Sequence, residues 1–130
     1  MRRGRILVVD DDEVILLIAQ NELARAGFYT EVVFSGPDAK GLIEENPFDI
    51  VFTDLILSGT DGVTLCGEIK KISPKTKVVL MSAYSGAMED QMQAFLNAGG
   101  YSEFLKKPIS KGQLTGIAEK ILSETEEIVS

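Results

Sequence analysis

The chain has 130 residues, and its 13 Lys and Arg against 20 Asp and Glu give a formal net charge of -7 at pH 7. Because proteins bind phosphate backbones through clustered basic side chains, this acidic balance argues against nucleic acid as a direct partner. One cysteine and no histidine exclude an intrachain disulfide, the common zinc ligand sets and catalytic Ser-His or Cys-His pairs. Carboxylates must therefore carry any chemistry.

The apolar runs of the chain are too short to cross a membrane. Residues 6–9 and 14–19 form two such runs, whereas a spanning helix needs roughly 20 residues. The basic N-terminus also lacks the apolar stretch of a signal peptide. We therefore predict one cytoplasmic globular domain over 1–130 with no membrane partner, in which 1–4 is an N-terminal extension and 124–130 is a helix end or tail.

Hydrophobic periodicity alternates between short β-branched runs and longer stretches with helical spacing. The short runs predict strands over 5–9, 29–34, 49–53, 77–81 and 104–105, of which the first, third and fourth are buried. The longer stretches predict helices ending at Gly27 and over 37–45, 62–72, 88–98 and about 111–123. The apolar face of the first helix is predicted to be Ile15, Ile18, Ala19, Leu23 and Ala26.

This alternation of five strands and five helices predicts a doubly wound α/β fold of the flavodoxin type. The strands are predicted to form a parallel sheet that is joined by right-handed crossovers and covered on both faces. If its order is 2-1-3-4-5, the ends of the first and third strands are adjacent. Polar side chains follow the strand ends, and they are Asp10, Asp11 and Asp12, then Asp54, Ser82 and Lys107. Since ligands bind beyond the carboxyl ends of such strands, we expect these side chains to meet at one edge of the sheet.

Carboxylates at close range repel each other unless a cation neutralises them. Mg²⁺ suits one or two carboxylates with a carbonyl and waters, and it leaves a position for phosphate. A carboxylate held by a metal and a lysine is a nucleophile towards phosphorus, while Lys107 and Ser82 stabilise the phosphoryl oxygens. Each residue singly has a simpler explanation, such as a helix cap for the acidic triplet. Together they predict an acyl-phosphate site.

Four motifs, ILVVDDDE, PFDIVFTDLILSGTDG, VVLMSA and FLKKPI, occur in an order and spacing that are specific in combination. Through them the chain resembles the receiver domains of bacterial two-component response regulators over essentially its whole length, and the resemblance implies a CheY-like fold. It also implies that Asp54 is the phosphoacceptor and that Ser82 and Lys107 contact the phosphoryl group. The metal, Mg²⁺ or in its place Mn²⁺, would be held by Asp10, Asp11, Asp54 and the backbone carbonyl of Ile56.

The resemblance further implies a signalling domain that catalyses only its own phosphorylation and dephosphorylation. A sensor histidine kinase or a histidine phosphotransfer protein would supply the phosphoryl group, and Ser82 and Phe104 would form a switch towards a downstream effector protein or domain. A dimer that forms on phosphorylation is a further expectation. The chain departs from the family where Ser58 and Thr60 replace the frequent Pro and Met, and where Tyr101 replaces a small residue.

The lifetime of the acyl phosphate is predicted from the residues two beyond Asp54 and two beyond Ser82, which flank the approach of water. Here they are Ile56 and Tyr84, which are bulky and carry no carboxylate or amide to orient a water molecule. We therefore expect a long-lived acyl phosphate. Packing of Tyr84 against the fourth helix is the alternative explanation for that residue.

Two other functions remain open at this point. The string ILVVDDDEV also fits the nucleophile motif of haloacid-dehalogenase-like phosphatases, in which Asp10 would be attacked instead of Asp54. Residues 36–41 imitate the start of a phosphate-binding loop, but Leu42 and Ile43 stand where that motif needs Lys and Ser or Thr. A nucleotide or flavin binder is therefore the weaker of the two alternatives.

Overall fold

The computed structural model describes residues 3–83 and 89–129, with side chains up to residue 124. Its strands are β1 Arg5–Val9, β2 Tyr29–Val33, β3 Ile50–Asp54, β4 Ile56–Leu57, β5 Thr60–Asp61, β6 Lys77–Ser82 and β7 Leu105–Lys106. The large sheet is parallel and has the order β2-β1-β3-β6-β7. It confirms the predicted 2-1-3-4-5 topology, because β4 and β5 pair only with each other as an antiparallel hairpin.

The helices of the described residues are α1 Glu13–Arg25, α2 Gly36–Glu45, α3 Gly62–Ile72, α4 Glu89–Asn97 and α5 Gln113–Val129. Side chains of Asp12, Ser35 and Asp61 cap the first three by accepting an amide N–H of the first turn. The last helix begins later than predicted and continues beyond residue 123. None of these helices is long and apolar enough to cross a membrane.

The sheet separates two hydrophobic cores. Successive side chains of β1 point to opposite faces, so that Ile6 and Val8 join one core while Leu7 and Val9 join the other. Helices α1 and α5 cover the first core, and α2, α3 and α4 cover the second. Strands β1, β3 and β6 are buried almost throughout, as the sequence predicted for the first, third and fourth strands.

The apolar face of α1 differs from the prediction. Its buried residues are Leu16, Ala19 and Leu23, whereas Ile18 is 54% exposed. Neighbouring residues in a helix are about 100° apart around the axis, so Ile18 cannot share the direction of Ala19. The prediction was wrong for Ile18 because the α1 sequence is apolar on more than one side.

Strand ends differ from the predicted ones by about one residue. The last strand comprises Leu105 and Lys106, which pair with Met81 and Ser82 of β6. Phe104, predicted inside that strand, therefore precedes it and is 39% exposed. The β4–β5 hairpin was not predicted, because a strand of two residues is too short to show an alternating pattern.

Candidate functional site

The predicted site residues lie at the carboxyl edge of the large sheet. Strands β1 and β3 are neighbours there. Val9 pairs with Thr53, and these two residues directly precede Asp10 and Asp54. Ser82 and Lys106 are paired across β6 and β7. Parallel pairing thus brings the ends of four strands to one edge, as expected for a ligand site of this fold.

Lys107 joins two carboxylates at this edge. Its Nζ atom lies 2.7 Å from Oδ2 of Asp10 and 2.9 Å from Oδ2 of Asp54. The Lys107 backbone N–H donates to the carbonyl of Ser82 over 2.8 Å, which fixes the start of the loop after β7. One ammonium group therefore offsets part of the repulsion that the sequence predicted between these carboxylates.

The surroundings of Lys107 keep its side chain charged. Burial by itself would lower the pKa of Lys107, but its contacts with Asp10 and Asp54 outweigh burial, and the pKa is raised above its ordinary value. The Lys107 ammonium therefore loses its proton only at a pH above the ordinary pKa of a lysine side chain. Its pairing with the two carboxylates is fully present at neutral pH.

Asp54 and Asp10 differ in how far an incoming group can reach them. The side chain of Asp54 is 20% exposed, and its Oδ1 accepts the N–H of Leu55 over 2.7 Å. The side chain of Asp10 is only 2% exposed, and its Oδ1 accepts the N–H of Asp12 over 2.9 Å. Of these two carboxylates, Asp54 is the one that a phosphoryl donor can approach.

The acidic triplet divides into three separate roles. Asp10 is buried beside Lys107. Asp12 caps α1 by accepting the N–H of Val14 over 2.9 Å, so the helix-cap explanation holds for this one residue. Asp11 turns to the hairpin, where its Oδ1 accepts the backbone N–H of Ser58 over 3.3 Å. Three successive residues thus face three different partners.

The donor groups of the site suit a hard cation. Oδ2 of Asp10 is buried and accepts no hydrogen bond of good geometry from the described residues, although the Lys107 ammonium lies 2.7 Å away. A carboxylate oxygen with unused acceptor capacity fits Mg²⁺. Within residues 3–83 and 89–129, however, no three acidic, cysteine or histidine side chains are gathered as a ready metal site. Asp11 is the predicted ligand that points elsewhere.

Gly62 is a site residue that sequence reasoning missed. Its N–H donates to the carbonyl of Leu55 over 2.7 Å, which closes the hairpin segment behind Asp54. A Cβ atom at this position would lie 2.5 Å from the backbone oxygen of Asp54 and 3.0 Å from Cα of Leu55. Only glycine lets the start of α3 approach the backbone of Asp54 this closely. The Asp-Gly pair in LSGTDG was a signal for a tight approach.

The predicted switch residues lie at the neighbouring strands β6 and β7, since Ser82 pairs with Lys106 and Phe104 directly precedes β7. Ser82 ends β6 and is 1% exposed, while Phe104 lines a surface cavity of about 400 Å³ with Met92 and Leu96 of α4. Tyr101, before Phe104, donates its hydroxyl hydrogen to Glu124 of α5. Burial, followed by this contact, raises the pKa of Tyr101 to about 12, so the hydroxyl stays protonated.

One of the two residues predicted to control the lifetime of the acyl phosphate lies at the surface beside Asp54. Ile56 is 70% exposed at the start of the hairpin, two residues from Asp54. Tyr84 lies outside the described residues. The role of each stays a prediction.

Comparison with known proteins identifies the chain. A family model described as the response regulator receiver domain matches residues 6–119. The chain belongs to this family. Its membership confirms the receiver fold and the phosphoacceptor signalling role predicted from the motifs, and it favours them over the phosphatase alternative with Asp10 as nucleophile.

Relatives of this receiver domain include longer regulators. The transcriptional regulatory protein ZraR of Salmonella typhimurium is 36% identical over 129 residues, which cover 98% of this chain and 29% of ZraR. A CheY-like receiver structure from Methanospirillum hungatei has a TM-score of 0.87 at 27% identity, covering 95% of this chain and 96% of that one. The beryllofluoride-activated NtrC4 receiver dimer has a TM-score of 0.83 at 27% identity, with coverages of 92% and 97%.

Proposed function

We propose that Asp54 accepts a phosphoryl group in a magnesium-dependent reaction. The observation that carries this proposal is the combination found at Asp54. Its carboxylate is partly exposed, ends a central strand and is paired with Lys107 over 2.9 Å. A buried neighbour such as Asp10 holds Lys107 in place without being accessible itself.

The chemistry is a displacement at phosphorus. A carboxylate oxygen of Asp54 forms the new bond to phosphorus, and the bond from phosphorus to the donor nitrogen breaks, so that the donor imidazole leaves with the electron pair. The N–H of Leu55 orients the Asp54 carboxylate. Lys107 is already charged beside the nucleophile, and it offsets negative charge on the phosphoryl oxygens.

The proposal includes a divalent metal ion beside Asp54. Asp10, Asp11, Asp54 and the carbonyl of Ile56 would hold Mg²⁺, or Mn²⁺ in its place. The ion would neutralise the phosphoryl oxygens during transfer. The buried acceptor oxygen of Asp10 supports this choice of ligand.

The proposed partners follow from this chemistry. The donor is a sensor histidine kinase or a histidine phosphotransfer protein, and the domain catalyses only its own phosphorylation and dephosphorylation. The proposal places the chain in the cytoplasm, as the sequence predicts. The phosphorylated domain then acts on an effector protein or domain, and the activated NtrC4 receiver dimer supports dimer formation as one route.

The proposal predicts a phosphorylated species that depends on a divalent cation. Purified protein incubated with Mg²⁺ and a small phosphodonor is expected to gain one phosphoryl group by intact-mass spectrometry. Excess chelator should prevent the gain, since clustered carboxylates repel an incoming anion without a cation. Restoring Mg²⁺ is the control for chelator damage. Undiminished phosphorylation in excess chelator would contradict the metal requirement.

We further propose that phosphorylation pulls the Ser82 hydroxyl towards the phosphoryl group and lets Phe104 turn inward. Phosphorylation would then shift the equilibrium between two conformations of the face formed by α4, β7 and α5. The exposed position of Phe104 beside Met92 and Leu96 supports this idea, since an inward turn would remodel that surface.

The switch has a direct test in the Ser82→Ala variant. This variant is expected to be phosphorylated on Asp54 but to lose the coupled change, because alanine has no hydroxyl to follow the phosphoryl group. NMR shifts around Phe104 would be compared before and after phosphorylation. If wild type and variant show the same shifts, Ser82 does not transmit the signal.

A further inference from the structure

Ser58 provides a contact to a predicted metal ligand through its backbone. Its N–H donates to Oδ1 of Asp11 over 3.3 Å. Members of the family often have proline at this place, and proline has no N–H to donate. In this chain the serine at position 58 supplies the N–H that Asp11 accepts.

We propose that this hydrogen bond holds Asp11 away from Asp10 and Asp54 and so weakens the binding of Mg²⁺. The inference rests on the proposed function, in which these three carboxylates share the metal. Among the described residues, no three acidic side chains lie close enough together to hold a cation, and Asp11 contacts Ser58. A movement of Asp11 towards the other two carboxylates would stretch or break its contact with the Ser58 amide.

The proposal has an energetic basis in competition for one carboxylate. An N–H donor and a cation both favour a negative oxygen of Asp11, so coordination of a metal through Oδ1 competes with the existing hydrogen bond. The hairpin containing Ser58 is also hydrogen-bonded to the start of α2, because the N–H of Gly36 donates to the carbonyl of Ser58 over 3.4 Å. The hairpin therefore keeps this attachment to α2 when Asp11 is released.

The turn at Ser58 permits a clean removal of the N–H. Ser58 and Gly59 form the two-residue loop of the hairpin, since Leu57 pairs with Thr60. Gly59 has a φ of 82°, as in the third position of a type II turn, whose second position favours proline. Ser58→Pro should therefore retain the turn and lose the hydrogen bond. Ser58→Ala loses only the hydroxyl and is the matched control.

The experiment is a titration of wild type and both variants with magnesium chloride alone, followed by amide NMR. We expect the dissociation constant of Ser58→Pro to fall roughly three- to tenfold, and that of Ser58→Ala to equal the wild-type value. In wild type and in Ser58→Ala, the amide resonance of residue 58 should shift as the metal saturates, because its acceptor is withdrawn.

Each other result overturns the inference. Binding by Ser58→Pro that is equal to or weaker than binding by Ser58→Ala means that the amide does not compete. If thermal unfolding shows that Ser58→Pro is destabilised, the test is the amide resonance of Ser58 in the wild-type protein. A resonance that does not change at magnesium saturation contradicts the proposal. Absence of saturable binding in wild type removes the magnesium proposal itself. If all three proteins bind magnesium equally well and are still phosphorylated, the proposed function stands and only this inference is rejected.

Discussion

Replacement of Asp54 by asparagine is expected to abolish phosphorylation completely. Asparagine keeps the shape of the side chain and an acceptor oxygen for Lys107, but its amide is not a nucleophile towards phosphorus. Intact-mass spectrometry after incubation with Mg²⁺ and a small phosphodonor should show no added phosphoryl group. Peptide mapping of the wild-type protein should place the group on Asp54.

Two other aspartates test whether the loss is specific. Asp12→Asn should be phosphorylated at the wild-type rate, because asparagine caps a helix about as well as aspartate and Asp12 serves as the cap of α1. Asp10→Asn should slow the reaction through weaker metal binding, yet any incorporated group should lie on Asp54. A phosphoryl group on the Asp54→Asn variant would show that the acceptor is another residue.

Replacement of Gly62 by alanine is expected to have the largest effect on stability. The added Cβ would lie 2.5 Å from the backbone oxygen of Asp54, and backbone atoms cannot move aside as the end of a flexible side chain does. We expect the free energy of unfolding to fall by about 3 kcal/mol. The displaced backbone would also move Asp54, so phosphorylation should slow in the protein that remains folded.

Gly67 provides a matched control on the same helix. It lies inside α3, and a Cβ atom there would meet nothing within 4 Å. Gly67→Ala should therefore raise the free energy of unfolding by about 0.5 to 1 kcal/mol. Urea unfolding curves with equal slopes would make the two values comparable. Equal stability of the two variants would refute the close approach of α3 to Asp54.

Sequence alone determined the order and type of the elements in the main sheet. Hydrophobic periodicity is a local property, so β1, β3 and β6 could be found without knowledge of their neighbours. Topological rules for parallel strands then placed Asp54 and Lys107 at one edge. The motifs also indicated the family, because the spacing of four short segments is preserved along the chain.

Tertiary structure decided how the acidic triplet is used. Asp10, Asp11 and Asp12 are adjacent in sequence, but their partners are Lys107, the Ser58 amide and the first turn of α1. Two of these partners are brought close only by folding, so no local pattern can assign them.

The same limit explains the close approach at Gly62 and the exposure of Ile18. Both depend on which backbone or helix face lies opposite. Local patterns and general rules of chain topology thus determined the sheet and the edge at which the polar side chains lie, and the resemblance of the motifs indicated Asp54 as the candidate phosphoacceptor. Packing between distant segments decided which carboxylate is accessible, which is buried and which is held by the hairpin.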